Sequence, residues 1–182
     1  MSDSGQPEKL EEHEDEFGRT HRIGDAVDLN GNWKRLDSLH PDHHVLLYHA
    51  TSRDRAESIL REGWRPSGSQ FTNSSPEHVY MGSRQGLGTY AGYQGKGDPV
   101  LVAFRVRKRD LEPDMDDWKA HVRAHGAEVR RRGIDIKAPT ARDTFSEMNQ
   151  VRAHHTRAEP VGYLDHYKDG RFYPAHEVRN KR

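Results

Sequence analysis

The fold of this chain is constrained most by where its few apolar residues lie. Only 32% of the 182 residues are hydrophobic and the mean hydropathy is -1.09, so a core can form only where apolar residues are concentrated. The densest run, residues 100–106 (VLVAFRV), predicts a strand near the centre of a sheet. Residues 45–48 (VLLY) predict a second short, buried strand.

Helical patterns lie between further short apolar runs. Thr51, followed three residues later by Asp54, is a capping-box pattern and predicts a helix that ends at Gly63. A second helix is predicted from about 116 to 131. Further strands are predicted at 79–81 and, interrupted by Pro160, within 149–164. This mixture indicates an α+β domain.

The composition of the amino-terminal segment and the balanced charge of the chain bear on its domain organisation and on the partners expected for it. Residues 1–20 are predicted to be a disordered acidic tail, since 1–16 carry seven acids and one lysine. Residues 21–182 are predicted to form a single domain. With 29 basic and 29 acidic side chains, a nucleic-acid partner is possible but is not indicated by net charge. Without a leader or a long apolar run, we predict a cytoplasmic protein with no membrane partner.

Several kinds of active site are disfavoured. The absence of cysteine excludes a disulfide, a thiolate nucleophile and cysteine-ligated zinc. The pairs His43-His44 and His154-His155 lack helical zinc-motif spacing, and adjacent strand residues point to opposite faces, so we predict no metal. The patterns of a nucleophile elbow, a P-loop and a Rossmann fingerprint are also absent from the sequence.

His49 is the first candidate for chemistry. It follows a buried strand directly and precedes the start of a predicted helix. At such a position an imidazole and free backbone N–H groups can meet a nucleotide. The alternative is a histidine that only caps the strand.

The order of the motifs resembles the diphtheria-toxin and poly-ADP-ribose-polymerase branch of the ADP-ribosyltransferases, from residue 46 to about 160. The resemblance implies an α+β fold in which two small antiparallel or mixed sheets, with flanking helices, pack around an NAD cleft. It is carried by four segments: LLYHATS at 46–52, the A-x-x-I-L-x-x-G helix at 56–63, VYMGS at 79–83 and YAGY at 90–93.

The resemblance implies that NAD, as co-substrate, is bound at the first motif. In the family the strand-end histidine bonds a ribose hydroxyl, which corresponds here to His49. The next residue offers backbone groups to the nicotinamide amide, which corresponds to Ala50. Thr51 adds a hydroxyl contact near the adenosine.

The second motif implies an aromatic clamp. Tyr80 corresponds to the tyrosine that stacks on the nicotinamide ring, and Ser83 closes the same motif. A further tyrosine completes the clamp, with Tyr93 the better match and Tyr90 the second. A flat cation on an aromatic face gains roughly 0.5–2 kcal/mol.

The sequence offers three candidates for the functional residue of the third motif. The family places a glutamate there, whose charge stabilises an oxocarbenium-like transition state. Glu147 is the only carboxylate in residues 144–152, whereas strand register favours Gln150, in an Asn-Gln-Val segment that resembles the family's Asn-Glu-hydrophobic strand. Glu159 is the third candidate.

The function implied is mono-ADP-ribosyl transfer from NAD to an unidentified acceptor, which could be a protein, a nucleic acid or a small molecule. A toxin, a defence effector or a drug-modifying enzyme would each fit. One alternative is a weakly active or inactive module that binds NAD, ADP-ribose or RNA, with phosphate contacts from residues 107–109 and 130–132. The other is an RNA 2′-phosphotransferase that recruits Arg84 and Arg152.

Overall fold

The computed structural model describes residues 12–14, 20–22, 26–29, 33–65, 75–84, 99–166 and 168–180. These residues form an α+β structure, which confirms the predicted class. The strands are β1 Glu12–Glu14, β2 Thr20–Arg22, β3 Val27–Asp28, β4 His44–Ser52, β5 His78–Met81, β6 Pro99–Arg107, β7 Glu112–Pro113, β8 Val151–His154, β9 Ala158–Leu164 and β10 Phe172–Pro174. The helices are α1 Trp33–Ser38, α2 Arg53–Glu62, α3 Met115–Arg131, α4 Ala141–Met148 and α5 Ala175–Asn180.

The larger sheet is built around β6. Its strand order is β10-β9-β6-β4-β3, and all neighbours are antiparallel except β3 and β4. Strand β6 pairs with β4 along nine residues, and residues 100–104 are completely buried. The strands predicted from residues 45–48 and 100–106 are therefore confirmed, and β4 continues through the polar residues up to Ser52.

Among the described residues, a smaller sheet, ordered β5-β8-β7, meets the larger one at one bridge. The Tyr48 N–H donates to the Gly82 carbonyl at 2.8 Å, and the Gly82 N–H donates back at 2.9 Å. A Cβ atom on Gly82 would lie 2.2 Å from the backbone oxygen of Asn149. Glycine is required here because two backbones approach each other too closely for a side chain.

Helix α2 begins one residue later than the capping pattern predicts. Ser52, not Thr51, is the N-cap, and its hydroxyl accepts a hydrogen bond from the Arg55 N–H at 3.3 Å. The prediction of Thr51 was wrong because β4 stays paired with β6 up to Ser52, which keeps Thr51 extended. The predicted end is confirmed at Gly63, whose φ of 86° suits glycine.

The sequence predicted that Pro160 interrupts the strands of this region, but β9 continues through Pro160. Pro160 pairs with Phe104, and Gly162 pairs with Ala103, so Val161 is an extra residue in a bulge. Strand β10 covers β9 only from Gly162 onward. Proline is tolerated at bulges and in edge strands. Among the described residues, Pro160 lies beside a bulge, in a part of β9 that pairs only with β6.

The predicted amino-terminal tail stays a prediction. Strand β1, within it, pairs antiparallel with β2, and the other residues of 1–19 lie outside the described part of the chain. Among the described residues, no helix has both the length and the apolar character needed to cross a bilayer.

Helix α3 confirms the prediction for 116–131 and is capped by Asp114, which is completely buried. Its Oδ1 accepts hydrogen bonds from the N–H groups of Asp116 at 3.1 Å and Asp117 at 3.2 Å. Its Oδ2 is buried without a hydrogen-bond partner. Burial, opposed by these two bonds, raises the pKa of Asp114 from 3.8 to about 6.

This raised pKa predicts a stability cost above about pH 6 that asparagine would remove. Because the folded pKa exceeds the unfolded one, folding favours the protonated carboxyl, and this contribution to stability is lost as pH rises from about 4 through 6. Between pH 4 and 7 the unfolding free energy of the wild type should fall relative to Asp114→Asn by on the order of 2 kcal/mol. Urea unfolding at both pH values measures this difference, and asparagine keeps the cap. A constant difference between the two proteins would contradict the raised pKa.

Candidate functional site

Three of the predicted site residues lie where the two sheets meet, two of them on strands and the third directly before a strand. His49 follows the bridging Tyr48 in β4, and Tyr80 lies in β5 two residues before Gly82. Strand β8 pairs with β5 through Met81↔Val151, so Gln150 enters the small sheet next to Gly82. The strand order therefore brings the residues of all three motifs to one edge.

His49 is held with one ring nitrogen inward. Its Nδ1 lies 2.8 Å from the Tyr80 carbonyl oxygen, and a carbonyl can only accept, so Nδ1 carries the hydrogen and donates. Burial lowers the pKa of His49 and outweighs the carbonyl bond that raises it, and the charge of Arg55 lowers it further. The imidazole is therefore neutral near pH 7, and Nε2 is left as an acceptor.

A tryptophan closes one side of this histidine. The Trp64 ring meets the His49 ring edge to face, with centroids 5.2 Å apart, and the Arg55 guanidinium lies 5.3 Å above the Trp64 ring. These contacts limit rotation of the imidazole and contribute to its desolvation.

The hydroxyl of Tyr80 is anchored from two directions. It donates a short hydrogen bond to the Asp116 carboxylate at the start of α3, and it accepts from the Ser75 N–H at 2.9 Å. Burial, and secondly the bond to Asp116, raise the pKa of Tyr80. The phenol stays protonated, so Tyr80 offers a fixed ring and not a general base.

Arg152 completes this anchor. It lies directly opposite Tyr80 across β5 and β8. Its guanidinium nitrogens are each 3.6 Å from a carboxylate oxygen, one on Asp116 and one on Glu112. No local sequence pattern indicates a role for Asp116, because it lies 36 residues after Tyr80 and only the fold brings the two together.

Asn149 fixes the position of Gln150. It ends α4 in the left-handed conformation, with φ 55°. Its side-chain oxygen accepts from the Ser83 N–H at 2.9 Å, and its amide nitrogen donates to the Ser83 carbonyl at 3.4 Å. Ser83 is itself only 3% exposed. Ser83 therefore connects the second and third motifs, and its buried side chain does not line an open cleft.

The end of β4 has one free edge near His49. Ala50 and Thr51 pair with Leu101 and Val100 of β6, and both are partly exposed. They lie beyond the bridge to Gly82, so no strand of the described part of the chain covers their other edge. Backbone groups at such an edge can bond a ligand.

The other third-motif candidates point elsewhere. Glu147 on α4 accepts a hydrogen bond from the Arg132 guanidinium at 2.5 Å and lies 3.5 Å from His121 Nε2, so its carboxylate faces α3. Glu159 is exposed in β9 and pairs with Arg105, which in turn pairs with Leu46, three residues before His49. Tyr90 and Tyr93 lie outside the described residues.

An arginine-rich cavity of about 710 Å³ lies at the opposite end of β4 from His49. Its wall combines basic side chains with the two acids Asp110 and Glu159, so its net charge is only moderately positive. The basic residues that line it are His44, Arg105, Arg107, Arg109 and Arg157. This cavity and the strand-edge site are separate.

The two arginines of the phosphotransferase interpretation both face carboxylates. The Nε of buried Arg84 is 3.7 Å from the Asp28 carboxylate, which also accepts the Tyr48 hydroxyl at 2.9 Å. Arg152 lies between Glu112 and Asp116. Neither cation is placed to grip a phosphate without breaking these pairs.

His154 and His155 do not point apart, so that part of the sequence argument was wrong. Their rings stack, with centroids 4.7 Å apart. Strand β8 ends at His154 and a 3-10 helix begins at His155, so strand alternation does not apply to the pair. Both rings approach Glu77.

No protein-family model, curated protein or solved structure matches this chain.

Proposed function

We propose that the chain is an NAD-dependent mono-ADP-ribosyltransferase with the fold of that family, two small sheets packed around an NAD cleft. The observation that carries the proposal is that His49 and Tyr80 lie on β4 and β5 where the two sheets meet, while Gln150 directly precedes β8, which pairs with β5. In addition, His49 is neutral and bonded to the backbone of Tyr80, so the first two motifs form one unit.

Each residue has a distinct role in this proposal. The Nε2 of His49 accepts a hydrogen bond from a ribose hydroxyl, and the backbone groups of Ala50 form hydrogen bonds with the nicotinamide amide. The anchored ring of Tyr80 stacks on the cationic nicotinamide. The bond between nicotinamide and the ribose breaks, nicotinamide keeps the electron pair, and an acceptor nucleophile attacks the anomeric carbon. Fixed geometry contributes by keeping the reacting atoms aligned.

Gln150 makes the reaction slower than a glutamate would. A carboxamide can orient a ribose hydroxyl, but it places no negative charge beside the positive charge that develops on the sugar. Glu147 cannot supply that charge without giving up its bond to Arg132. Weak transfer or glycohydrolysis follows from this arrangement.

A module that binds NAD or ADP-ribose without cleaving it is the second candidate, and the uncharged Gln150 is the observation that favours it. The phosphotransferase interpretation is less well supported, because Arg84 and Arg152 are engaged by carboxylates.

Nicotinamide release from NAD tests the proposal, with water as the acceptor. We expect slow release from the wild type, a loss of about tenfold or more in Gln150→Ala, and a gain in Gln150→Glu because the missing charge is restored. Glu147→Ala is the matched control on the adjoining helix and should change release by less than about twofold. The opposite pattern would assign the third motif to Glu147.

Calorimetric titration with NAD separates the remaining outcomes. Affinity without release in any variant would support the binding module. A folded wild type with neither affinity nor release would overturn both functions.

A further inference from the structure

We propose that Glu77, His154 and His155 form a binding site for a divalent transition metal, best suited to zinc. The Oε2 of Glu77 is 3.3 Å from His155 Nε2 and 3.8 Å from His154 Nε2. One ligand atom from each residue lies within 4.8 Å of the other two. Two imidazoles and one carboxylate are thus close enough for one ion to bind all three after side-chain rotation.

These separations are close to those of a zinc site. Tetrahedral zinc with bonds of about 2.0–2.1 Å places its ligand atoms roughly 3.3–3.4 Å apart. The Glu77 to His155 distance of 3.3 Å already has this value, and the Glu77 to His154 distance of 3.8 Å needs a small side-chain rotation. Because all three side chains are partly exposed, such rotations are not blocked by close packing.

The backbone holds the three residues in place. Glu77 directly precedes β5, and His154 ends β8 opposite His78. The His155 N–H also donates to the Glu77 carbonyl at 3.0 Å. The ligands therefore come from two chain segments whose relative position is fixed by hydrogen bonds, as a metal site requires.

A second group orients one imidazole. The Nδ1 of His154 is 2.8 Å from the Thr156 hydroxyl oxygen. The Thr156 N–H also donates to this Nδ1 at 3.3 Å. A metal on Nε2 requires the tautomer with a hydrogen on Nδ1, which keeps the bond to the hydroxyl, as is typical of metal-binding histidines, and gives up the bond from the N–H.

The ligand set selects the class of metal. Imidazole suits zinc, copper and nickel, whereas magnesium and calcium prefer oxygen ligands alone. Three protein ligands leave a fourth tetrahedral position for water. The ion would connect the start of β5, the strand that carries Tyr80, to the end of β8, the strand that directly follows Gln150.

Calorimetric titration of the chelator-stripped full chain with zinc chloride tests this site. We expect one ion per chain with a dissociation constant on the order of 1 μM, weaker than four-ligand structural sites. His155→Ala should weaken binding at least about tenfold. His125→Ala is the control, since His125 also lies beside a histidine and a glutamate, His121 and Glu128, but does not belong to the cluster.

A thermal unfolding series provides the second readout. Zinc should raise the Tm of the wild type and of His125→Ala, but not of His155→Ala, because only an ion bound to the folded state stabilises it. Equal zinc affinity in His155→Ala and the wild type, or no saturable binding, would overturn the proposal and leave a histidine–glutamate ion pair only. Magnesium chloride should give no heat in the same titration.

Discussion

Replacing His49 with alanine is expected to lower NAD cleavage by at least about 100-fold in kcat/KM, or about 2.7 kcal/mol of transition-state stabilisation. The substitution removes Nε2, the neutral acceptor that would orient the ribose, and it removes the ring that packs against Trp64. The measurement is steady-state nicotinamide release.

His44→Ala is the matched control, because His44 begins the same strand and lies at its other end. It should retain activity within about twofold, as expected away from the reacting groups. Circular dichroism and thermal unfolding show whether each variant is folded. If folded His49→Ala cleaved NAD at the wild-type rate, the assignment of the first motif would be wrong.

Replacing Gly82 with alanine is expected to destabilise the protein by about 3 kcal/mol or more. The new Cβ would lie 2.2 Å from the Asn149 backbone oxygen and 3.0 Å from its side-chain nitrogen. Backbone cannot rotate away as a side-chain end can, so either the bridge to Tyr48 or the turn at Asn149 must move. The unfolding free energy from urea titration measures the loss.

Gly126→Ala is the control for the general effect of removing a glycine. Its Cβ would lie at an ordinary contact distance of 3.6 Å from Val122, within α3. Because Gly126 directly follows a kink at His125 and has no positive φ, we expect alanine there to change the unfolding free energy by no more than about 1 kcal/mol. Wild-type stability in Gly82→Ala would argue against the close approach of the two segments.

The sequence predicted the parts of the fold whose signals are local. Residues 100–104 are apolar on both faces, so a central strand followed directly from composition. The extension of β4 through His49 and up to Ser52 had no such signal, because those residues are polar and stay extended only through pairing with β6. The displaced N-cap of α2 is a consequence of the same pairing.

Helix α4 shows the limit of periodicity as a guide. It has eight residues, of which only Thr144 and Phe145 are buried, so it carries too short an apolar pattern to detect. Its capping box, Thr140 with Asp143, was the one available signal. Without this helix, the sequence could not show that Glu147 faces α3 or that Asn149 turns the chain toward the site.

The candidate site divides in the same way. The sequence indicated His49 because it follows a recognisable strand pattern, and Tyr80 because it lies within another. Asp116 and Arg152, which fix the Tyr80 side chain, depend on contacts between segments far apart in the chain. Motif order can suggest which residues touch a ligand, but not which residues hold them in position.

The bridge between Tyr48 and Gly82 joins the two sheets through one residue pair in the described part of the chain. Rupture of its two hydrogen bonds, together with the bond between His49 and the Tyr80 carbonyl, would separate His49 from Tyr80 while both sheets kept their own pairing. Amide hydrogen exchange at Tyr48 and Gly82 would then report a partial opening that costs less than global unfolding. In the proposed function, NAD cleavage would then be lost on warming before the common core of the two sheets melts.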